Sequence, residues 1–362
     1  MIAPANPKPP ADGARSRYPD THFDALLVVS FGGPEGMDDV LPFLENVTRG
    51  RGVPPERLAE VAEHYERLGG VSPINAQNRA LIEALRPELA VHGIELPIYF
   101  GNRNWHPFLS DTLREMADAG VERALAFFTS GFSSYSGCRQ YRENVHDAQQ
   151  AVGDAAPEVL KTRMFYDHPG WVDANAELLA AALADHPDAH VLFSAHSIPA
   201  AMAAGCRYEA QLAESAALVA GVAGAAAWKV VYQSRSGPPH VPWLEPDVCN
   251  AIEQLAADGV EAVVVSPLGF VSDHLEVLYD LDVEARDAAE AAGLAFARVP
   301  SVGTHPTFVS MICELVQERL DPSLPRRSLG AGGPSYDVCP PGCCRPGTGR
   351  PSPWEAEAAG PH

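Results

Sequence analysis

Hydrophobic runs alternate with longer amphipathic segments along most of the chain. The runs are rich in Val, Leu, Ile and Phe, and turn residues such as Gly, Ser or Asn follow them, which is typical of buried parallel strands. The predicted strands are residues 25–30, 97–100, 124–128, 161–165, 191–193, 228–232, 263–265 and 296–299. Helical segments separate them, so the pattern predicts an α/β fold of two similar Rossmann-like domains, each a four-stranded parallel sheet flanked by helices.

Helical periodicity predicts several of the elements between these strands. Met37–Val47 and Pro55–Arg67 are predicted helices. Ser72 is the predicted N-cap of a third helix with Pro73 at its first position, because a serine hydroxyl accepts from first-turn amides and proline fits there. The last helix begins near Pro306, and its predicted buried face is Phe308, Met311, Ile312, Leu315, Val316 and Leu320.

Composition divides the chain into four segments. Residues 1–22 are rich in Pro, Ala and polar residues and are predicted to be disordered. Residues 23–168 and 169–325 are the two predicted α/β domains, and the second carries the candidate metal site. Residues 326–362 are dominated by Gly, Pro, Ser and Arg, so this Cys-containing tail is expected to be unable to pack alone.

Polar side chains follow two of the predicted strands at the point where each strand ends. Asp273, His274 and Glu276 come after the strand at 263–265, and His196 comes after an earlier strand. Ligands bind outside the carboxyl ends of strands in open α/β sheets, so the two groups are expected to converge on one cleft. An imidazole and carboxylates in that cleft can hold a cation or move protons.

A structural interpretation of the same residues stays open at this point. Asp273 is suited to cap the helix that follows, with Glu276 three residues later as its capping-box partner. His196 alone is equally compatible with a solvated loop histidine.

Charge narrows the range of partners. The chain has 362 residues, 46% of them hydrophobic, and a formal net charge of −21. So acidic a protein repels nucleic acid and anionic lipid, and neither is an expected partner. Arg49 and Arg51 lie among glycines, where an exposed basic loop is the ordinary interpretation. In this acidic chain they are also a candidate clamp for a substrate carboxylate, since guanidinium binds carboxylate bidentately.

The lack of a signal-peptide pattern and the number of cysteines both favour a reducing compartment. No N-terminal stretch has the apolar region of a signal peptide, and no apolar run approaches the roughly 20 residues of a membrane span. We therefore expect a cytoplasmic protein without a membrane span, in which seven cysteines do not form a disulfide framework. Cys339, Cys343 and Cys344 fall within six residues of the tail. Clustered thiolates suit an iron–sulfur cluster or zinc, and the alternative is three ordinary oxidisable thiols.

Three segments resemble those of a known family. They are S-A-H-S-I-P at 194–199, Q-S-R-S-G-P-P-H-V-P-W-L-E-P-D-V at 233–248 and P-L-G-F-V-S-D-H-L-E-V-L-Y-D at 267–280. These are similar to the signature segments of ferrochelatases, which insert ferrous iron into a porphyrin, and the resemblance runs from about Asp24 to Leu320. The cysteine-bearing tail and high Ala content resemble the actinobacterial members, which act on coproporphyrin III.

The resemblance implies a reaction and roles for the strand-end residues. Iron insertion removes two pyrrole protons and needs ligands that bind Fe²⁺ but release it, so His196 and Glu276 are the predicted catalytic and metal-binding pair. Asp273 and His274 are expected to orient the loop around them and relay protons. The implied partners are coproporphyrin III and ferrous iron as substrates, and a downstream haem-pathway enzyme is compatible with this role.

The resemblance also implies contacts with the porphyrin. The serine that matches Ser72 touches the porphyrin in the family. Many bacterial members have a tyrosine where this chain has Phe31, which cannot bind iron, and Tyr135 is the predicted replacement. The alternative for Tyr135 is an ordinary half-buried tyrosine.

A fourth cysteine completes the implied cluster. The family has an internal cysteine that matches Cys138, so the resemblance implies a [2Fe–2S] cluster held by Cys138, Cys339, Cys343 and Cys344. The tail spacing differs from that of animal ferrochelatases, whose tail cysteines are more widely spaced.

Several alternative functions are open at this point. One is the same reaction with protoporphyrin IX, and another is a chelatase of the same fold for a different metal such as cobalt. A non-catalytic porphyrin or haem carrier, or an iron–sulfur redox sensor, forms a different class. A carrier has no need of an acid–base pair, so the presence of both His196 and Glu276 favours an enzyme.

Overall fold

Two parallel sheets form the centre of the protein, and the second repeats the topology of the first. The computed structural model describes residues 21–50, 52–340 and 342–347. The first sheet contains β1 (Ala25–Ser30), β2 (Ile98–Asn102), β3 (Arg123–Phe128) and β4 (Glu158–Lys161), in the order β2-β1-β3-β4. The second contains β5 (His190–His196), β6 (Trp228–Gln233), β7 (Ala262–Ser266) and β8 (Ala295–Arg298), in the order β6-β5-β7-β8. The predicted fold class is confirmed.

Helices connect and cover the strands. In the first half they are α1 (Met37–Val47), α2 (Pro55–Arg67), α3 (Ile74–Val91), α4 (Leu109–Asp118) and α5 (Gln140–Val152). In the second half they are α6 (Pro169–Asp185), α7 (Ala200–Ala203), α8 (Tyr208–Ala223), α9 (Val248–Ala257), α10 (Leu275–Tyr279), α11 (Arg286–Ala291) and α12 (Pro306–Leu320). Two π-helical segments, Tyr135–Arg139 and Asp280–Ala285, lead into α5 and α11.

The central strands are apolar because both of their faces are covered. Every residue of β1 and β3 is buried, as expected for a parallel sheet enclosed by helices. Polar residues occupy the carboxyl ends: Ser30 of β1 pairs with Asn102 of β2, and His196 of β5 pairs with Gln233 of β6. The sheet topology therefore delivers polar side chains to the edge where ligands bind in such folds.

Eight strands were predicted and eight are present among the described residues, but β4 is displaced. It was predicted at 161–165, whereas its pairing with β3 ends at Lys161. The residues after Lys161 have other partners, because Arg163 binds the carboxylate of Glu318 through two hydrogen bonds of 2.8 and 2.9 Å. The hydrophobic residues that suggested a strand, such as Phe165, are instead buried in the core.

The predicted helix cap at Ser72 is wrong. Pro73 occupies the cap position of α3 with helical angles (φ −70°, ψ −13°), and no side chain caps that helix. The Ser72 amide instead donates to the carbonyl of Pro34 at 2.8 Å. Its side chain lies so close to Gly33 that a Cβ there would be 2.6 Å from the Ser72 oxygen. Ser72 therefore fastens the turn after β1 to the start of α3.

One aromatic core joins the two halves. Phe127 of β3 stacks on Phe165 with ring centroids 5.3 Å apart, and Trp171 of α6 contacts Phe165 at 5.4 Å and Phe308 of α12 at 5.7 Å. All four side chains are at most 1% exposed. The predicted face of α12 is confirmed, although Leu320 is only partly buried. The C-terminal helix therefore packs into the same core as the first sheet.

The chain after α12 lies against the body, held by polar contacts. The Ser328 hydroxyl donates to the Asp167 carboxylate at 2.6 Å, and the Leu329 amide donates to the Asp167 carbonyl at 2.8 Å. The Arg163 side chain also donates to the carbonyl of Arg327 at 2.6 Å. A segment with little apolar content is thus ordered by hydrogen bonds to buried groups of the body.

Four parts of the chain lie outside the described residues. They are residues 1–20, which include most of the predicted disordered N-terminus, residues 51 and 341, and residues 348–362. Among the residues that are described, no helix is both long and apolar enough to cross a membrane.

Candidate active site

His196 and Glu276 meet at the carboxyl edge of the second sheet. His196 is the last residue of β5, and Glu276 lies in the first turn of α10, which follows β7. The His196 Nε2 and Glu276 Oε2 atoms are 3.8 Å apart, and the side chains are 36% and 43% exposed. The structure therefore brings the two predicted residues together at a place that solvent reaches.

Backbone contacts fix the ring of His196. Its Nδ1 lies 2.5 Å from the carbonyl oxygen of Ser197, and a carbonyl can only accept, so Nδ1 carries the hydrogen. In the neutral ring the lone pair is then on Nε2, the atom nearest Glu276. The Tyr208 hydroxyl donates to the His196 carbonyl at 3.0 Å. The ring thus presents a basic nitrogen to the cleft.

A line of carboxyl groups continues from Glu276 along the π-helical segment. Burial raises the pKa of Glu276, and burial together with the nearby Glu276 and Glu284 carboxylates raises the pKa of Asp280 to about 7. Asp280 accepts from Gln233 at 3.2 Å and from Ser234. Glu284 is an exposed residue, but partial burial of its carboxyl also raises its pKa. Asp280 can therefore exchange protons near neutral pH, as an isolated surface carboxyl cannot.

Asp273 supports the loop and does not cap the helix. Its buried carboxylate pairs with Arg298, and its amide donates to the side-chain oxygen of Gln77 at 2.7 Å. Because no side chain caps α10, the capping-box interpretation of Asp273 and Glu276 is wrong. Asp273 links α10 to β8 and α3 through these contacts.

His274 is a neutral ring in this site. Its ring meets Phe270 edge to face with centroids 5.3 Å apart. Burial, and then the adjacent His196, lower the pKa of His274 to about 3. A histidine that stays neutral at physiological pH cannot add positive charge beside an incoming cation.

The predicted porphyrin-contacting tyrosine lies in the other π-helical segment. The Tyr135 hydroxyl donates to the Glu143 carboxylate at 2.9 Å. Arg103 donates to the Ser136 carbonyl at 3.2 Å, and its guanidinium lies 5.6 Å from the centre of the Phe31 ring. Tyr135 and Phe31, the two positions that the resemblance connects, are therefore near one another around Arg103.

Helix α2 covers the acidic side of the cleft. His64 stacks on Tyr279 with ring centroids 4.0 Å apart, and Tyr65 packs against Leu275 in a separate apolar cluster. Between α2 and α10 lies a cavity of about 30 Å³. Its lining residues are Val61, His64, Tyr65, Leu275, Glu276, Tyr279 and Asp280. A cavity of that size holds a single water and has polar groups to bind it.

The four predicted cluster cysteines lie in consecutive contact. The Cys339 thiol is hydrogen-bonded to Cys138 and Cys343, and the sulfurs of Cys343 and Cys344 are 3.5 Å apart. Hydrogen bonds from Cys138 and Cys343 lower the pKa of Cys339, whereas its hydrogen bond to Cys339 and its burial raise the pKa of Cys138. The contacts form a chain instead of surrounding one point. Within the described part of the molecule, no three His, Cys, Asp or Glu residues form a ligand group for a metal ion.

The remaining predicted residues lie at the first-domain side. Ser72 is buried at the start of α3, with 3% exposure. Arg49 is exposed just after α1. Arg51 lies outside the described residues, so the structure gives the position of only Arg49 among the two predicted arginines.

Sequence reasoning missed Asp280, Glu143 and His64. Asp280 ends the quoted signature segment and lies four residues after Glu276, one helical turn away, which was the available signal. Glu143 and His64 sit in ordinary amphipathic helices, and nothing local marks them. Their roles depend on which side chains the fold places opposite them.

The family model and the curated relatives agree on one family. The Ferrochelatase family model matches residues 23–320. A ferrochelatase from Rhodopirellula baltica is 57% identical over 327 residues, covering 89% of this chain and 93% of that protein. A coproporphyrin III ferrochelatase from Nocardia farcinica is 53% identical over 342 residues, covering 89% and 97%. Among solved structures, SirB from Bacillus subtilis with Fe³⁺ is similar with a TM-score of 0.51 and 11% identity, over 83% of this chain and 96% of that one, a likeness of fold alone.

Proposed function

The chain belongs to the ferrochelatase family, and from this premise we propose that it inserts ferrous iron into coproporphyrin III in the cytoplasm. The choice of coproporphyrin III rests on relatives that carry that name, such as the one from Nocardia farcinica and one from Frankia alni that is 54% identical over 353 residues. These relatives match the chain over 89% and 93% of its length. The substrate assignment therefore draws on nearly the whole chain.

The contact between His196 and Glu276 carries the chemical part of the proposal. One imidazole nitrogen and one carboxylate, 3.8 Å apart and both partly exposed, are a ligand pair of the right chemistry for an Fe²⁺ substrate. Two protein ligands leave coordination positions for the porphyrin nitrogens. Release of the metal into the macrocycle then needs no rearrangement of a closed protein cage.

Proton removal follows from the same groups. Insertion exchanges two pyrrole N–H protons for one Fe²⁺, so two protons must leave the macrocycle. Nε2 of His196 has one lone pair, so it accepts a pyrrole proton only when it is not holding Fe²⁺, and it passes that proton on before it accepts the second. Asp280, with its pKa raised to about 7, takes up protons near neutral pH and lies between Glu276 and the exposed Glu284. These carboxyls provide a route from the cleft to solvent.

We assign porphyrin contacts to the opposite side of the cleft. Tyr135 is proposed to contact the iron of the product in place of the ring at Phe31, and Ser72 to contact the macrocycle. Arg49 and Arg51 are proposed to bind a porphyrin carboxylate. An exposed guanidinium suits this task because carboxylates at the porphyrin rim remain partly solvated.

We propose that the four cysteines hold a [2Fe–2S] cluster as a resident group. Four sulfurs in consecutive contact could supply the four thiolate ligands that such a cluster takes, and the low exposure of Cys138 (2%) and Cys344 (3%) supports a site shielded from water. Bound there, the group supplies cross-linking between tail and body and a redox-sensitive centre. Cys138 lies at the first-domain side, apart from His196 and Glu276, so the proton and metal transfers above use none of these thiols.

The deciding experiment is an anaerobic assay of the purified protein. Fe²⁺ would be mixed with coproporphyrin III or with protoporphyrin IX, and metal insertion followed by the shift of the Soret band. We expect turnover with both iron and coproporphyrin III, and a kcat/KM at least about tenfold lower with protoporphyrin IX. Equal or better use of protoporphyrin IX would reassign the substrate, and porphyrin binding without insertion of iron would make the protein a carrier.

The product has to reach a consumer, and we infer that a downstream haem-pathway enzyme takes it from this protein. An iron porphyrin with exposed edges is poorly soluble and reactive in free form, which favours direct transfer. Mixing product-loaded protein with such an enzyme, with and without a haem-binding scavenger, separates direct transfer from release into solution.

A further inference from the structure

A buried hydrogen-bond bridge connects the end of the first sheet to the loop that leads to Glu276. Nδ2 of Asn78, on α3, donates to the hydroxyl of Ser30 at the end of β1 over 2.9 Å. The other end of the same carboxamide, Oδ1, accepts from the hydroxyl of Ser272 at 3.4 Å. Ser272 comes after β7 and precedes Glu276 by four residues. One side chain of α3 therefore contacts the ligand-binding edges of both sheets.

A second carboxamide holds the same loop. Oε1 of Gln77, next to Asn78 on α3, accepts from the Asp273 amide at 2.7 Å. Its Nε2 donates to the Asp273 carboxylate at 3.4 Å. In the first sheet, the Thr129 hydroxyl, directly after β3, donates to the Ser30 hydroxyl at 3.0 Å and extends the network. Two adjacent residues of one helix thus bind two adjacent residues of the loop.

The bridge is closed to water. Ser30 and Asn78 have no exposed surface, and Ser272 is 6% exposed. Buried polar groups are costly unless they are hydrogen-bonded, so displacement of either end of the Asn78 carboxamide is unfavourable. Hydrogen bonds are also directional, whereas the apolar contacts that join the two halves elsewhere are not. The bridge therefore defines one position of the loop relative to β1.

We propose that Asn78 and Gln77 are positioning residues that set the distance between the metal-binding and porphyrin-binding sides of the cleft. The loop that they hold leads into α10, where Glu276 lies. Ser72, assigned above to the macrocycle, lies just before the start of their own helix. Metal transfer needs both sides at a fixed separation, because a misplacement of about 1 Å can cost about 10²-fold in rate. This inference rests on the proposed function, since it concerns the geometry of that reaction.

Kinetic and binding measurements test the positioning. Asn78→Leu preserves the approximate size of the side chain and removes both of its hydrogen bonds. We expect kcat for insertion of Fe²⁺ into coproporphyrin III to fall about 10- to 100-fold. The KM for the porphyrin should change less than about threefold, because the porphyrin-binding surface is intact. The affinity for coproporphyrin III alone, measured by fluorescence quenching, should stay equally close to that of the wild type.

The kinetic pattern is what the positioning role requires. Gln77→Leu, which removes the contacts to Asp273, should lower kcat in the same way. A loss confined to the KM or to porphyrin binding would show damage to a binding surface and would overturn the proposal. An unchanged kcat in both variants would overturn it as well.

Substitutions at the two ends test whether the bridge acts as one unit. Ser30→Ala removes the link to the first sheet, and Ser272→Ala removes the link to the loop. Each should lower kcat, and the double variant should be no slower than the slower single variant, because a cut at either end already breaks the bridge. Losses that multiply in the double variant would mean that the two serines act separately, and the bridge would be rejected.

Hydrogen exchange reports on the loop without depending on turnover. Gln77 protects the Asp273 amide, so the segment 270–276 should exchange about tenfold faster in Asn78→Leu, as measured by mass spectrometry. Asn175→Ala is the matched control, because Asn175 is a buried asparagine of α6 whose side chain donates to the Trp171 carbonyl at 2.9 Å. It should leave both the exchange of this segment and kcat unchanged. Equal effects of the two substitutions would indicate general loosening and would contradict a specific role for Asn78.

The outcomes separate this inference from the proposed function. If the wild type inserts iron and Asn78→Leu does so with an unchanged kcat, the inference fails and the proposed function stands. If the wild type does not insert iron, the proposed function fails together with the role of Asn78 in metal transfer. Hydrogen exchange still decides in that case whether the bridge holds the loop.

Discussion

His64 of α2 stacks on Tyr279 of α10 with ring centroids 4.0 Å apart and ring planes 9° from parallel. Arg67, one turn further along α2, donates to the Tyr279 hydroxyl at 3.4 Å. The helix that covers the cleft is therefore fastened to the helix that carries Glu276. A movement of α2 that admits a porphyrin must either break these contacts or move α10 together with α2. The position of Glu276 therefore depends on the position of α2.

We predict that His64→Ala loosens this attachment. Loss of a stacked ring pair costs about 1 kcal/mol in the free energy of unfolding. The apparent KM for porphyrin should change more than kcat, because the substitution acts on the cover and not on the reacting atoms. Chemical denaturation and steady-state assays measure both. Glu63→Ala, at the exposed neighbouring position on α2, is the matched control and should leave both values unchanged.

The pKa of His64 also predicts how its contribution to stability changes with pH. Burial, then Arg67, lower the pKa of His64 from its ordinary 6.5. The unfolded chain therefore binds the proton more readily, and the contribution of His64 to stability falls as the pH drops through 6.5. The wild type should lose more stability than His64→Ala over that interval. A steeper loss in the variant would contradict the direction of the shift.

His196 and Glu276 are expected to be indispensable for iron insertion. His196→Ala removes the nitrogen that faces the cleft, and we predict a fall of about 10²-fold or more in kcat. Glu276→Gln should be strongly impaired and Glu276→Asp less so, since aspartate keeps the charge at a shorter reach. His190→Ala, at the opposite end of the same strand, is the control and should retain activity. Wild-type activity in Glu276→Gln would leave Glu276 no part in holding the metal.

Sequence patterns were sufficient for the architecture because parallel strands buried on both faces are apolar without interruption, as in β1 and β3. They failed at β4 because Phe165 is equally apolar but belongs to the aromatic core that joins the two halves, and periodicity does not distinguish a buried strand from other buried segments. The cap at Ser72 failed for a related reason. Its bonding is decided by Gly33 and Pro34, which are close only after β1 and α3 have packed.

The site was predictable where a residue lies at a strand end. His196 ends β5 and Glu276 comes after β7, so the topology alone brings them to one edge. Glu143 and His64 were not predictable, because each acts through a side chain from a different turn or helix. The pKa of Asp280 depends on burial among Glu276, Ser234 and Glu284, and burial of this kind follows from the fold and not from local sequence.

Asp280→Asn is predicted to increase stability at high pH and to change the pH dependence of the rate. The folded pKa of Asp280 is raised from 3.8 to about 7, so its stabilising protonation is fully present below 3.8 and lost as the pH rises through about 7. The variant should therefore be more stable than the wild type near about pH 8, and the difference should shrink in acid. We also expect the wild-type rate to decline as the pH falls below about 7 and the variant to lose this decline. Asp287→Asn, exposed on α11, should change neither profile.

The buried ion pair of Arg163 and Glu318, which holds the chain after α12 against the body, is predicted to contribute more to the free energy of unfolding than an exposed pair does. Arg163 is fully enclosed and Glu318 is 5% exposed at the side chain. Glu318→Gln leaves a buried guanidinium without its counter-charge and should cost about 3–5 kcal/mol in the free energy of unfolding. Arg327→Ala breaks a pair with Glu314 in which the arginine is 50% exposed, and should cost less than about 1 kcal/mol. Denaturant titrations of the two variants measure this contrast, and similar losses would contradict it.

The last prediction concerns the cysteines. Protein purified without oxygen should be brown and contain iron and acid-labile sulfide, because the four thiols already lie in consecutive contact. Cys138→Ser, Cys339→Ser, Cys343→Ser and Cys344→Ser should each lose most of both. Cys249→Ser, a half-buried thiol on α9, is the control and should keep them. A colourless wild type without sulfide would remove the cluster, and one that survives Cys138→Ser would need another fourth ligand.

Cys343 and Cys344 are adjacent in sequence, and this restricts how both can bind the proposed cluster. Cys343 and Cys344 are joined by one peptide bond, and Cys344 already has a left-handed backbone (φ 53°), an uncommon conformation for a residue with a Cβ. Their sulfurs lie 3.5 Å apart, so either one iron takes both thiolates or each iron takes one of them. In the second case Cys343→Ser and Cys344→Ser affect different irons, and their residual spectra should differ. Identical spectra would place both sulfurs on one iron, with Cys138 and Cys339 on the other.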